Sequence, residues 1–73
     1  MKDYGVILFY TTSAAMRTEK ILKEADIPIK LIPTPRELSS DCGIALRFNW
    51  DDAERVETLL RSGHVEFEAI HRI

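Results

Sequence analysis

Residues 29–48 read IKLIPTPRELSSDCGIALRF, and the parsing of this stretch decides the fold. Two largely apolar runs, Ile29 to about Thr34 and Gly43 to Phe48, flank a polar, turn-rich loop, PRELSSD. Each run has strand length, so the stretch reads as two consecutive strands joined by a long loop rather than by a helix. Pro33 places the first of them at a sheet edge or a strand end, because proline cannot donate to a ladder. Pro33 and Pro35 also stiffen the connection.

Upstream, Tyr4 to Thr11 (YGVILFYT) is a continuous apolar run, as expected of a strand buried on both faces. Thr12 or Ser13 can then cap a helix running to about Ala25. Ala14, Thr18, Ile21, Leu22 and Ala25 share one side of it, while Arg17, Glu19, Lys20, Lys23 and Glu24 face water. The sequence DIP stops it, since the residue before a proline avoids the α region. Downstream, Asp51 opens a second helix with Glu54 as a capping box. Ala53, Val56, Leu59 and Leu60 form its apolar stripe, and Gly63 occupies the C′ place. Val65 to Ile70 alternates as a last strand, with Val65, Phe67 and Ala69 on one face and Glu66 and Glu68 on the other.

The order is β-α-β-β-α-β. It predicts an α+β, ferredoxin-like two-layer sandwich: a four-stranded antiparallel sheet with both helices on one face. The opposite face is left uncovered. Because Val6 and Leu8 are as apolar as Ile7 and Phe9, that face is expected to meet something, most simply a second copy in a homodimer.

The totals narrow the function. A chain of 73 residues reads as a single small domain, residues 1–73, and a fold of that size buries only ~60% of its unfolded surface. One cysteine can close no disulfide and build no multi-cysteine metal site. A net charge of −2 without a basic stripe argues against a nucleic-acid partner, as do Glu66 and Glu68 on the last strand. No apolar run approaches the ~18 residues of a membrane span, and the start, MKDYGVILFYTT, carries no export signal. With an unpaired thiol, these features point to the reducing cytosol. Neither G-x-G-x-x-G nor a P-loop occurs, and no cofactor is expected.

The chemistry-bearing feature is Cys42. A lone cysteine is most often an inert small hydrophobe, but SSDCG has no apolar periodicity for a core residue to continue. The chain directions bring three connections to one end: Thr11 to Ser13, the loop Pro33 to Cys42, and Ser62 to His64. The start of the first helix, with Thr12 and Ser13, and the Arg36 guanidinium can stabilise a sulfur anion there. Ser39 and Ser40 add hydroxyls, and Gly43 permits the φ > 0 of an anion-binding nest. Asp41 opposes this unless its carboxylate points away. His64 is a candidate proton donor or acceptor, against a plain reading as a residue following the helix end. His71 falls near the opposite end, on the surface. Asp51, Asp52 and Glu54 read as helix capping and dipole matching.

TTSAAMRTEKILKEADIPIKLIPTPRELSSDCGIALRF resembles a small bacterial family of selenium/sulfur carrier-like proteins. The matching pieces are TT before a helix rich in Ala, Lys and Glu, then IP, the PTPRELSSDCG loop and ALRF; the likeness runs from about Tyr4 to Phe48 and more weakly beyond. It implies a persulfide or selenopersulfide held on Cys42. The partners it implies are donor and acceptor proteins of sulfur or selenium trafficking, such as cysteine desulfurase-like or sulfur-transfer domains. Those sulfur-transfer proteins present Cys-Pro-x-Pro, whereas here Gly43 follows Cys42 and the prolines lie upstream. The expectation is therefore a relay carrier rather than a turnover enzyme. The competing expectation is a non-covalent module that binds a small ligand or partner, with Cys42 incidental.

Overall fold

The computed structural model describes residues 3–38 and 42–73. It is an α+β structure of β1 (Tyr4–Leu8), α1 (Thr12–Glu24), β2 (Ile29–Pro33), β3 (Ile44–Asn49), a 3-10 turn (Trp50–Asp52), α2 (Ala53–Ser62) and β4 (Ala69–Arg72). The strands form one open antiparallel sheet in the order β2-β3-β1-β4. Pro33 is the last residue of edge strand β2, where its missing N–H costs no ladder bond.

Alternation along the central strands sorts the core into two clusters. Ile7, Leu46 and Phe48 pack with Ala15 and Leu22 of α1 and with Val56 and Leu60 of α2. Burial of each such leucine or phenylalanine contributes about 1.5–3 kcal/mol. Gly5, paired with Phe48 across β1 and β3, leaves room for that ring; a Cβ at Gly5 would overlap it. Thr18 is fully buried, and its hydroxyl donates to the Ala14 carbonyl at 2.8 Å, so it leaves no orphan polar group.

The second cluster differs from the sequence expectation of an uncovered apolar face. Val6, Leu8 and Ala45 are 0%, 2% and 0% exposed within one chain. Ile32, Ala69 and Leu38 pack against them. Leu38 comes from the β2–β3 connection, which folds back over this face. Burial of Val6 and Leu8 therefore does not require a second copy of the chain.

Several element ends also move. Pairing of β1 stops at Leu8; Phe9 turns into the core and Tyr10 outward. The N-cap of α1 is Thr11 rather than Thr12 or Ser13, and its Oγ1 accepts the Ala14 N–H at 3.1 Å. The capping box at α2 does not form: the 3-10 turn precedes the helix, and N-cap Asp52 makes no side-chain capping bond. Strand β4 begins at Ala69 rather than Val65, because it can pair only opposite Gly5 to Leu8 of the short β1.

Both helices end in a Schellman motif with a non-glycine residue in the left-handed conformation. Asp26 (φ 59) and His64 (φ 51) take the C′ positions. The Asp26 and Ile27 N–H groups return to Lys23 and Leu22, and those of His64 and Val65 to Arg61 and Leu60. Gly63, expected at C′, is instead the C-cap of α2, at φ −85. Each helix also caps the other. Arg17 of α1 donates to the Gly63 carbonyl at 2.7 Å, and Arg55 of α2 donates to the Ala25 carbonyl at 3.1 Å. Among the described residues, no helix is long and apolar enough to cross a membrane.

Candidate functional site: the Cys42 end of the sheet

Cys42 lies two residues before β3, and its side chain continues the inward alternation of Ile44, Leu46 and Phe48. It is 4% exposed and belongs to the main core cluster. The sequence reading found no apolar periodicity around it; the periodicity exists, but the polar residues on its N-terminal side conceal it.

Polar contacts on two sides fix this residue. Thr12 Oγ1 lies 3.8 Å from Cys42 Sγ, with either atom able to donate. On the backbone side, Thr34 Oγ1 donates to the Cys42 carbonyl at 2.8 Å, and the Thr34 N–H donates to the Gly43 carbonyl at 3.0 Å. Thr34 thus closes the base of the connection, one step beyond the last β2–β3 pair, Pro33 with Ile44. The sequence reading did not single out Thr34. Its signal was a hydroxyl between two prolines, directly after a strand.

The other expected site residues divide. Thr12 is at the sulfur, and Ser13 follows it in the first turn of α1. Because Thr11 takes the Ala14 N–H, Thr12 and Ser13 contribute the first two N–H groups of the helix, which have no intrahelical acceptor. Arg36 is exposed on the turn beyond Pro35 and takes part in no ion pair among the described residues. Gly43 is exposed and does not adopt positive φ, so the nest geometry imagined for it is absent; a Cβ there would meet nothing within 4 Å. Ser39 and Ser40, with Asp41, lie outside the described residues. His64 is exposed on the turn after α2, and the Arg17–Gly63 bond ties that turn to α1. The three connections are thus linked, α1 to the Cys42 loop through Thr12 and α1 to the α2 turn through Arg17.

At the other end, Trp50 stacks on Phe48 with centroids 6.1 Å apart, and the Arg72 guanidinium lies over its ring at 5.3 Å. Arg72 also pairs with Asp3. Among the described residues, no group of three or more His, Cys, Asp and Glu could hold a metal ion.

Chemically, the Cys42 end offers one thiol, one hydroxyl beside it and the positive end of a helix. No curated protein and no solved structure matches the chain. A family model described as "Putative Se/S carrier protein-like" matches residues 4–72, nearly the whole length. A loop carrying the chain's sole cysteine beside the start of a helix agrees with that description, and the chain belongs to this Se/S carrier protein-like family.

Proposed function

We propose that the protein is a cytosolic sulfur or selenium relay of ferredoxin-like architecture, with Cys42 as the carrying residue. The observation that supports this most is the Thr12–Cys42 contact at the start of α1 in a chain with a single cysteine. In loading, the Cys42 thiolate attacks the outer sulfur of a donor's cysteine persulfide. The donor S–S bond breaks, a new S–S bond forms at Cys42, and the donor leaves as a thiolate. In delivery, an acceptor thiolate attacks the outer sulfur on Cys42, which returns to thiolate. Two exchanges balance with no external oxidant or reductant. A selenium atom follows the same bond changes. Thr12 Oγ1 donates to the sulfur anion in this scheme, and the first N–H groups of α1, at Thr12 and Ser13, supply the partial positive charge. Ser39, Ser40, Arg36 and the Gly43 amide act as further stabilising groups, and His64 as a proton donor or acceptor, once a partner engages the loop. Donor and acceptor are cysteine desulfurase-like and sulfur-transfer proteins.

Burial gives the carrier a second property. A cysteine that is 4% exposed is shielded from bulk reductants. Exchange requires the Cys42 backbone to leave the Thr34 hydroxyl, so loading is coupled to opening of that contact. Intact-mass measurement after incubation with a cysteine desulfurase and cysteine tests the proposal. A reducible adduct of one sulfur mass, absent from Cys42→Ser, is the expected result. An unmodified wild-type chain under conditions that load a known sulfur acceptor refutes it.

The same burial favours one competing reading, a non-covalent binding module in which Cys42 only packs with Ile44, Leu46 and Phe48. Under that reading Cys42→Ser keeps its function. Under the relay reading the variant loses it.

A further inference from the structure

The face of the sheet that bears Val6 and Leu8 segregates charge in a way the carrier reading does not use. The register Lys30↔Arg47, Val6↔Arg47 and Val6↔His71 puts Lys30, Arg47, Val6 and His71 in one row across all four strands. The strands place no aspartate or glutamate on this face, although the chain holds 12 acidic residues against 10 basic ones. Lys30 and His71 are exposed. Neither Lys30 nor Arg47 enters an ion pair among the described residues. The Arg47 guanidinium lies 4.5 Å from the Tyr4 ring centroid. A guanidinium held over an aromatic face keeps its N–H edge available for planar, bidentate acceptors. Beside it, Tyr4, Pro28, Lys30, Arg47 and Asn49 line a cleft of about 310 Å³.

We propose that this face docks a carboxylate-rich segment of a partner protein. The cleft receives a carboxylate between Lys30 and Arg47, with the Asn49 amide as a further donor, and His71, two strands beyond Arg47 in the same row, meets a second carboxylate of the segment. Single-stranded nucleic acid fits less well: sheets that bind it stack bases on two or three exposed rings, whereas among the described residues the strands put one phenol ring on this face, Tyr4, already covered by Arg47, and one imidazole, His71. The inference does not depend on sulfur chemistry at Cys42.

The test is an amide-resolved NMR titration of the full chain with a hexaglutamate peptide. Parallel titrations use hexalysine and a single-stranded oligonucleotide of equal negative charge. Expected are shifts clustered at Tyr4, Lys30, Arg47 and His71 with hexaglutamate, and binding lost by about tenfold or more in Lys30→Glu/Arg47→Glu. Binding falls between about 0.05 M and 0.5 M salt and is unchanged in Cys42→Ser. Lys30→Ala serves as the milder variant if the double one unfolds, with a several-fold loss expected. Scattered shifts, equal binding by the variants, or tighter binding of the oligonucleotide would overturn the proposal.

Discussion

Thr12 Oγ1 stands 3.8 Å from Cys42 Sγ, joining the first turn of α1 to the end of a loop thirty positions away. A hydroxyl at that place donates to sulfur when the sulfur carries negative charge, and hydrogen bonds to charged groups are the stronger kind. Thr12→Val keeps the shape and removes the donor. It is expected to slow alkylation of Cys42 by iodoacetamide by roughly threefold to tenfold, with Thr12→Ser restoring the rate. An unchanged rate in Thr12→Val would remove the hydroxyl from the proposed chemistry.

Thr34 holds the backbone where Thr12 faces the sulfur. Its hydroxyl donates to the Cys42 carbonyl at 2.8 Å, while its N–H independently reaches Gly43. Thr34→Val removes only the first bond, costing about 1 kcal/mol of local stability. Under the proposal that Cys42 reacts from an opened state, alkylation should speed up by roughly fivefold, the opposite of Thr12→Val. The two variants therefore separate a group that stabilises the sulfur anion from one that keeps the loop shut.

The left-handed positions make a stability prediction that needs no knowledge of function. His64 (φ 51) and Asp26 (φ 59) pay a steric cost that glycine avoids. His64→Gly should stabilise the protein by ~1 kcal/mol in urea unfolding, and Asp26→Gly by less, since aspartate tolerates this region better than most residues. The His64 variant also probes its role as a proton donor or acceptor. Unchanged sulfur exchange in a more stable His64→Gly would leave His64 a helix-terminating residue only.

Two glycines should respond in opposite ways. A Cβ at Gly5 would overlap the Phe48 ring, which is 1% exposed and has no room to move. Gly5→Ala is expected to cost about 1–3 kcal/mol through overpacking. At Gly43 the added methyl meets nothing and φ is not positive. Gly43→Ala should fall within about ±0.5 kcal/mol, and thermal melts of the pair check both statements.

The alternation of elements and the antiparallel sheet were legible because each segment carries its own period and punctuation. The apolar run at Tyr4, the DIP stop after α1 and the strands either side of the PRELSSD loop all read locally. What failed to read depends on distant neighbours. The length of β4 is set by the short β1 opposite it, which no pattern within Val65 to Ile70 reveals. The burial of Val6 and Leu8 depends on Leu38 folding back from the β2–β3 connection. At the candidate site, the cluster of ends around Thr12 and Cys42 followed from chain directions alone. The burial of Cys42 was not legible, because Ser39, Ser40 and Asp41 precede it in the sequence and hide the step from Cys42 to Ile44. Thr34 was missed because its role appears only once the hairpin closes.

Delivery, rather than loading alone, defines a carrier, and it gives the most direct measurement. The persulfide-loaded chain, freed of donor, is mixed with a reduced acceptor protein bearing one reactive thiol, and both masses are followed with time. The relay account predicts that one sulfur leaves Cys42 and appears on the acceptor, with Cys42→Ser transferring none. Retention of the sulfur on this chain, or its loss as sulfide without gain by the acceptor, would contradict it.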